Sequence, residues 1–184
     1  MTYQKPQINL DHIKAMTTDV GIIQFSIINT PDLNSGYTVD DNARALIAVC
    51  EHYKLTQNPS DLKLIKTYIN FILKCQRSNG LFLNYVDKDK KFTKQNDGEN
   101  LEDANGRAIW SLGNAYSLME EAIDLDITLL QNMKWAINQF QLPMQHFKSP
   151  RAIAFIIKGL YYFNTKLNSR EITKSIDDMA NKLV

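Results

Sequence analysis

Two acidic pairs, Asp40-Asp41 and Glu102-Asp103, are the residues whose type and spacing best suit catalysis in this sequence. Each pair lies where a loop gives way to an amphipathic run, and each is followed within four residues by an arginine, Arg44 or Arg107. Paired carboxylates are what glycosidic-bond cleavage needs, one as acid and one as base. Around them lie Tyr37, Asn42, Tyr85, Asn105 and Trp110, rings and amides suited to a sugar, whose faces stack and whose hydroxyls need directional partners. The same positions also fit helix capping. Thr38-x-x-Asp41 and Asn100-x-x-Asp103 resemble caps, and acids near a helix N-terminus favour the macrodipole. Arg44 and Arg107 are spaced for local ion pairs with Asp41 and Asp103. A cap accounts for one acid of each pair. Asp41 and Asp103 are therefore expected to make capping or arginine contacts, leaving Asp40 and Glu102 to face a shared cleft.

The elements that must position these residues are helices. Ala45, Leu46, Val49, Cys50 and Tyr53 recur at helical spacing over 41–54. Pro59-Ser60-Asp61 opens a second helix to about Cys75, and Asn79-Gly80 ends it. Residues 81–86 and 91–93 read as a short β-hairpin around a charged turn. Helices are expected over 102–119, over 127–140, from Ser149-Pro150 to about 163, and from Asn168 to the C-terminus. Trp135 is assigned to the core. Arg-Ala followed by a branched aliphatic residue recurs at Arg44, Arg107 and Arg151, opening the first, third and fifth helices. A residue set returning at one structural position marks a helical-hairpin repeat. In a ring of such hairpins the inner helices start at one end of a central cavity, which would bring the two acidic pairs together.

Composition narrows the function classes. The chain has 184 residues, net charge +1 and no basic half, which argues against phosphate-driven nucleic-acid binding. No apolar run reaches membrane-spanning length, and residues 1–10 lack the apolar core of a signal peptide. Cys50 and Cys75 lie inside apolar helical patterns without metal-ligand spacing, so buried reduced thiols and a cytoplasmic location are expected. His12, His52 and His146 are isolated, no metal site or cofactor is expected, and no serine nucleophile or phosphate-binding glycine loop stands out.

Three segments carry a family resemblance: Thr18-Asp19-Val20-Gly21-Ile22-Ile23-Gln24, the run Gly36 to Ile47 with its Asp-Asp-Asn-Ala-Arg, and Glu102-Asp103-Ala104-Asn105-Gly106-Arg107-Ala108. Together they resemble a bacterial family of six-hairpin, glycosidase-like (α/α)6 domains, found alone or behind a group 1 glycosyltransferase domain. The likeness extends over most of residues 11–164. It implies a toroid fold and a role in glycan metabolism. The sequence departs from that family at Phe25 and Asn105, where histidine is expected, and it holds three hairpins where a complete toroid has six.

The expectation is thus a single all-α domain over 1–184, half of an (α/α)6 barrel, with 1–36 as an irregular lead-in. Its role is carbohydrate-active. One form is an inverting glycoside hydrolase using Asp40, Asp41, Glu102 and Asp103, with Arg44 and Arg107 orienting carboxylates and Tyr37, Asn42, Tyr85, Asn105 and Trp110 binding sugar. The alternatives are a noncatalytic glycan-binding or glycosyltransferase-accessory module, and a helical-repeat interaction protein whose acids are caps. Missing hairpins would leave Phe155, Ile156, Leu160, Tyr161, Ile172, Ile176 and Met179 exposed on the flank, and a homodimer is expected to cover them.

Overall fold

A computed structural model describes residues 8–119 and 127–184, so the first residues of the N-terminal lead-in lie outside the described part. Six long helices form three antiparallel hairpins: α2 (Val39–Thr56) with α3 (Ser60–Lys74), α5 (Glu102–Met119) with α6 (Ile127–Phe140), and α7 (Pro150–Leu167) with α8 (Arg170–Ala180). Two shorter helices, α1 (Asp11–Met16) and α4 (Gln95–Gly98), lie in the connections. The lead-in is less irregular than expected, because α1 and a two-residue hairpin of β1 (Ser26–Ile27) and β2 (Thr30–Pro31) occupy it.

The first, third and fifth long helices pack side by side as α2, α5 and α7, with α3, α6 and α8 behind them. Contacts at both ends make this inner row parallel. Asp40 meets Arg107 near the starts of α2 and α5, and Lys54 meets Asn114 near their ends. Each inner helix turns a stripe of apolar residues toward the outer row. Leu46, Val49 and Cys50 of α2, Ile109 and Leu112 of α5, and Ile153, Ile156, Leu160 and Phe163 of α7 are all at most 2% exposed. Burying each such aliphatic or aromatic side chain contributes roughly 1.5–3 kcal/mol. Cys50 and Cys75 belong to this core as free thiols, and burial pushes both up to about 12. Among the described residues no helix is long and apolar enough to cross a membrane.

Helix ends follow the local chemistry. Thr38 accepts from the Asp41 amide at 3.0 Å to cap α2, and Ser149 accepts from the Ala152 amide, with Pro150 in the first turn, to cap α7. The spacing of Asn168 and Glu171 predicts Asn168 as the cap of the last helix. It is instead the left-handed residue that ends α7, at φ 50°, while Ser169 caps α8. The expected β-hairpin forms around the 87–91 turn through an antiparallel bridge between Val86 and Phe92. Its first strand, β4 (Tyr85–Val86), also pairs with β3 (Tyr37–Thr38), just ahead of α2. At the far end of the first hairpin, His52 Nδ1 lies 2.5 Å from Asp61 Oδ2, a carboxylate with no exposed surface.

Two further expectations fail. Trp135 is 57% exposed, because the buried residues of α6 are Leu129, Met133, Ala136, Ile137 and Phe140, and Trp135 sits off that stripe. The flank residues expected to be bare are largely covered. Ile156, Leu160, Ile172 and Met179 are buried within the chain and only Tyr161 stands well exposed, since α8 lies over α7. That burial removes the apolar ground on which a homodimer was expected.

α5 and α7 are the most closely packed pair, and glycine makes the approach possible. A Cβ on Gly159 would fall within contact distance of the Ile109 carbonyl oxygen, and one on Gly113 would strike the Gly159 carbonyl. The obstruction is backbone, which cannot rotate away. Gly159→Ala is therefore expected to cost at least the ~1–3 kcal/mol typical of overpacking. Urea denaturation checks this, and an unchanged midpoint would mean the helices are not in close contact.

Candidate functional site

The acids and arginines lie at the N-terminal end of the inner row, but their pairing differs from simple adjacency. Counted back from the repeat arginine, Asp40 stands four residues before Arg44 and Asp103 four before Arg107. These two acids are structural equivalents, and each receives the arginine of the next inner helix. Arg107 Nε lies 2.6 Å from Asp40 Oδ1, and the Arg151 guanidinium meets Asp103 Oδ2. Arg107 therefore does not close the local pair with Asp103 that its spacing suggested. Arg44 folds back onto its own turn, 2.5 Å from Asp40 and 3.9 Å from Asp41.

The remaining two acids serve the backbone. Asp41 Oδ2 accepts from the Thr38 hydroxyl at 2.6 Å, completing the cap of α2. Glu102 Oε2 accepts from the amides of Lys148 at 2.9 Å and Ser149 at 2.6 Å, so it holds the chain entering α7. Ser149 then donates its hydroxyl to Asp103 at 2.9 Å. Glu102 was expected to face a cleft; its carboxylate is turned to these amides.

Two asparagines repeat the theme. Asn42 accepts from the Ile22 amide at 3.0 Å and donates to the Thr38 carbonyl at 2.8 Å. Asn105, at the same register, accepts from the Phe82 amide at 2.7 Å and donates to the Phe82 and Leu101 carbonyls at 2.9 Å. Both are buried. Tyr37 is buried too, its ring tilted against Phe71 and its hydroxyl 3.1 Å from that of Thr18. Tyr85 is half-buried in β4, opposite Thr38. A cleft of about 310 Å³ opens beside Asp41 and Arg44, between α1 and α2, with His12, Met16, Ile22 and Gln24 among its walls.

The open face of the inner row holds the other candidates. Trp110 is half-buried and stacks on Phe155 of α7, with centroids 5.4 Å apart and planes 11° from parallel. Arg107 lies 4.5 Å over the Phe155 ring, and Lys158 Nζ 3.5 Å over the Trp110 ring. Further along, Lys54 joins Glu51, Asn114 and the face of Tyr162. The sequence places Phe155 on an exposed flank rather than at this site, and it does not single out Lys158 or Tyr162. Their signal was spacing: with Arg151 they follow the same three- and four-residue steps as Asp103, Arg107, Trp110 and Asn114. Among the described residues no cluster of His, Cys, Asp or Glu is arranged to hold a metal ion.

Among the described residues Asp40 is the carboxyl with a clearly shifted pKa. Burial raises its pKa above the ordinary 3.8, Arg107 and Arg44 oppose the shift, and Asp41 and Asp103 add to it. The folded chain thus holds this proton more tightly than the unfolded chain does. Asp40 contributes a loss of stability as pH rises from 3.8 through its raised value, and no difference well below that window. Removing the nearest opposing cation sharpens the effect. In Arg107→Gln, Asp40 is expected to titrate at still higher pH, read from its carboxyl-carbon NMR shift. A fall in that pKa would contradict the ion-pair assignment.

No protein-family model matches this sequence, and no curated protein matches it. One similar solved structure is a polysaccharide lyase, 14% identical with a TM-score of 0.36, over 86% of this chain and 29% of the lyase. Likeness at that level leaves the activity to be argued from this chain's own residues.

Proposed function

We propose that this chain is a carbohydrate-active domain whose ligand lies along the open face of α2, α5 and α7. The observation that carries the reading is the stacked pair Trp110–Phe155, half-buried on that face and ringed by Arg107, Lys158 and Asp40. An aromatic platform bordered by charged hydrogen-bonding groups suits a sugar ring, which presents apolar C–H faces and directional hydroxyls.

In its hydrolytic form the domain is glycoside hydrolase-like and inverting. Asp40 is the general acid, because a carboxyl with a raised pKa keeps its proton for the leaving glycosidic oxygen. Asp103, at the equivalent register of the next inner helix, is the base that takes a proton from the attacking water. Inverting enzymes hold their two carboxyls roughly 6.5–9.5 Å apart, which leaves room for the attacking water. Arg44, Arg107 and Arg151 orient the two carboxylates.

A second reading, a noncatalytic glycan-binding module or glycosyltransferase accessory, has its own support. Asp41, Glu102 and Asp103 already hold a hydroxyl, two backbone amides and an arginine, contacts that a purely structural role explains.

A glycan array followed by product analysis separates the two. Trp110→Ala is expected to weaken binding about tenfold, near 1.4 kcal/mol. Asp40→Asn is expected to retain binding and abolish sugar release. Trp110-dependent binding without sugar release from any bound glycan supports the accessory reading. Binding indifferent to Trp110 would overturn the proposal.

A further inference from the structure

The outer side of α3 carries a surface unlike the inner face. Ile65, Ile69 and Ile72 turn into the core, while Lys63, Lys66, Asn70 and Lys74 recur at three- and four-residue steps along the opposite side. With Lys90 from the 87–91 turn and Asp19 from the lead-in, they line a cleft of about 610 Å³. A second cleft, of about 520 Å³, shares Lys63, Thr67 and Asp19 with the first and adds Lys14, Thr17 and Ser60.

Five lysines therefore face one groove against a single carboxylate. Asp19 is 85% exposed at its side chain and lies 3.6 Å from Lys90. Among the described residues Lys14, Lys63, Lys66 and Lys74 take part in no ion pair. In a chain of net charge +1 this is a marked segregation. Like charges at helical spacing cost stability, and a groove lined by one sign concentrates ligands of the other. Ser60 and Asn70 supply neutral donors and acceptors among the lysines, and Thr67, whose hydroxyl donates to the Lys63 carbonyl, adds an acceptor.

We infer that this groove binds an acidic polysaccharide, with the lysines meeting its carboxylate or sulfate groups and the hydroxyl and amide side chains meeting its sugar hydroxyls. The choice of a glycan over other polyanions rests on the carbohydrate reading above. It is also favoured by the lining itself. A single-stranded nucleic acid is held by exposed stacking rings, whereas the ring here, Phe71, is 3% exposed, and neither cleft is lined by arginine.

The test is affinity electrophoresis of the full chain in polygalacturonate, dextran sulfate and neutral dextran, with a single-stranded oligodeoxynucleotide as competitor. Polygalacturonate supplies carboxylates and dextran sulfate supplies sulfates, so their relative retardation identifies the anionic group. The expected result is retardation by at least one acidic polymer that weakens with salt. The same retardation should fall at least tenfold in Lys66→Glu/Lys74→Glu and persist in Trp110→Ala. Lys66→Ala/Lys74→Ala, with helicity checked by circular dichroism, is the milder variant should charge reversal disturb folding. No retardation by either acidic polymer, retention indifferent to both lysine variants, or tighter binding of the oligodeoxynucleotide would overturn the inference. Because Trp110 and the lysines are read separately, failure of the inner-face proposal and failure of the groove give different patterns.

Discussion

Arg107 crosses from α5 to Asp40 on α2, and Arg151 crosses from α7 to Asp103 on α5. The repeated step, an arginine reaching back to the acid of the preceding inner helix, fixes how far each helix slides along its neighbour. Asn42 and Asn105 reinforce it by gripping Ile22 and Phe82, the segments that lead toward each helix. Glu102 extends it by holding the amides of Lys148 and Ser149 where the chain enters α7. With the register set, Trp110 meets Phe155 and Lys54 meets Tyr162 across the same face. Arg44 turns onto its own Asp40, and the position four before Arg151 is Phe147, which packs edge-on against Phe140.

The carboxylates of such a ladder work under competing demands. Asp40 is drawn toward ionisation by two guanidinium groups and away from it by burial and two neighbouring acids, and burial prevails. Asp103 meets a more solvated partner, since Arg151 is 70% exposed at its side chain against 17% for Arg107. Equivalent positions thus sit in different surroundings. That asymmetry suits the acid and base roles proposed for Asp40 and Asp103.

Much of the fold was legible because helix starts, stops and apolar stripes are local. Thr38, Ser149-Pro150 and the Arg-Ala repeat marked the inner helices, and these pack side by side as their recurrence implied. The site was less legible, for physical reasons. Adjacency in the sequence groups the acids as Asp40-Asp41 and Glu102-Asp103, whereas register counted from the arginine sets Asp40 against Asp103 and leaves Asp41 and Glu102 to other work. A long guanidinium reaches a neighbouring helix as easily as its own turn, and sequence spacing alone does not choose between them. Asn42, Asn105 and Tyr37 read as sugar contacts but lie buried, because the same amide or hydroxyl can satisfy a backbone segment. Trp135 could have been placed outside the core by its spacing from Met133 and Ala136.

The ladder is tested most directly by a double-mutant cycle on its better-buried rung, Asp40→Asn and Arg107→Gln singly and together, followed by urea denaturation. If the arginine of one repeat secures the acid of the one before, the two substitutions are coupled by about 0.5–3 kcal/mol, as expected of residues in one ion-pair network. Effects that add to within about 0.3–0.5 kcal/mol, the behaviour of independent sites, would mean that the inner helices hold their register without it.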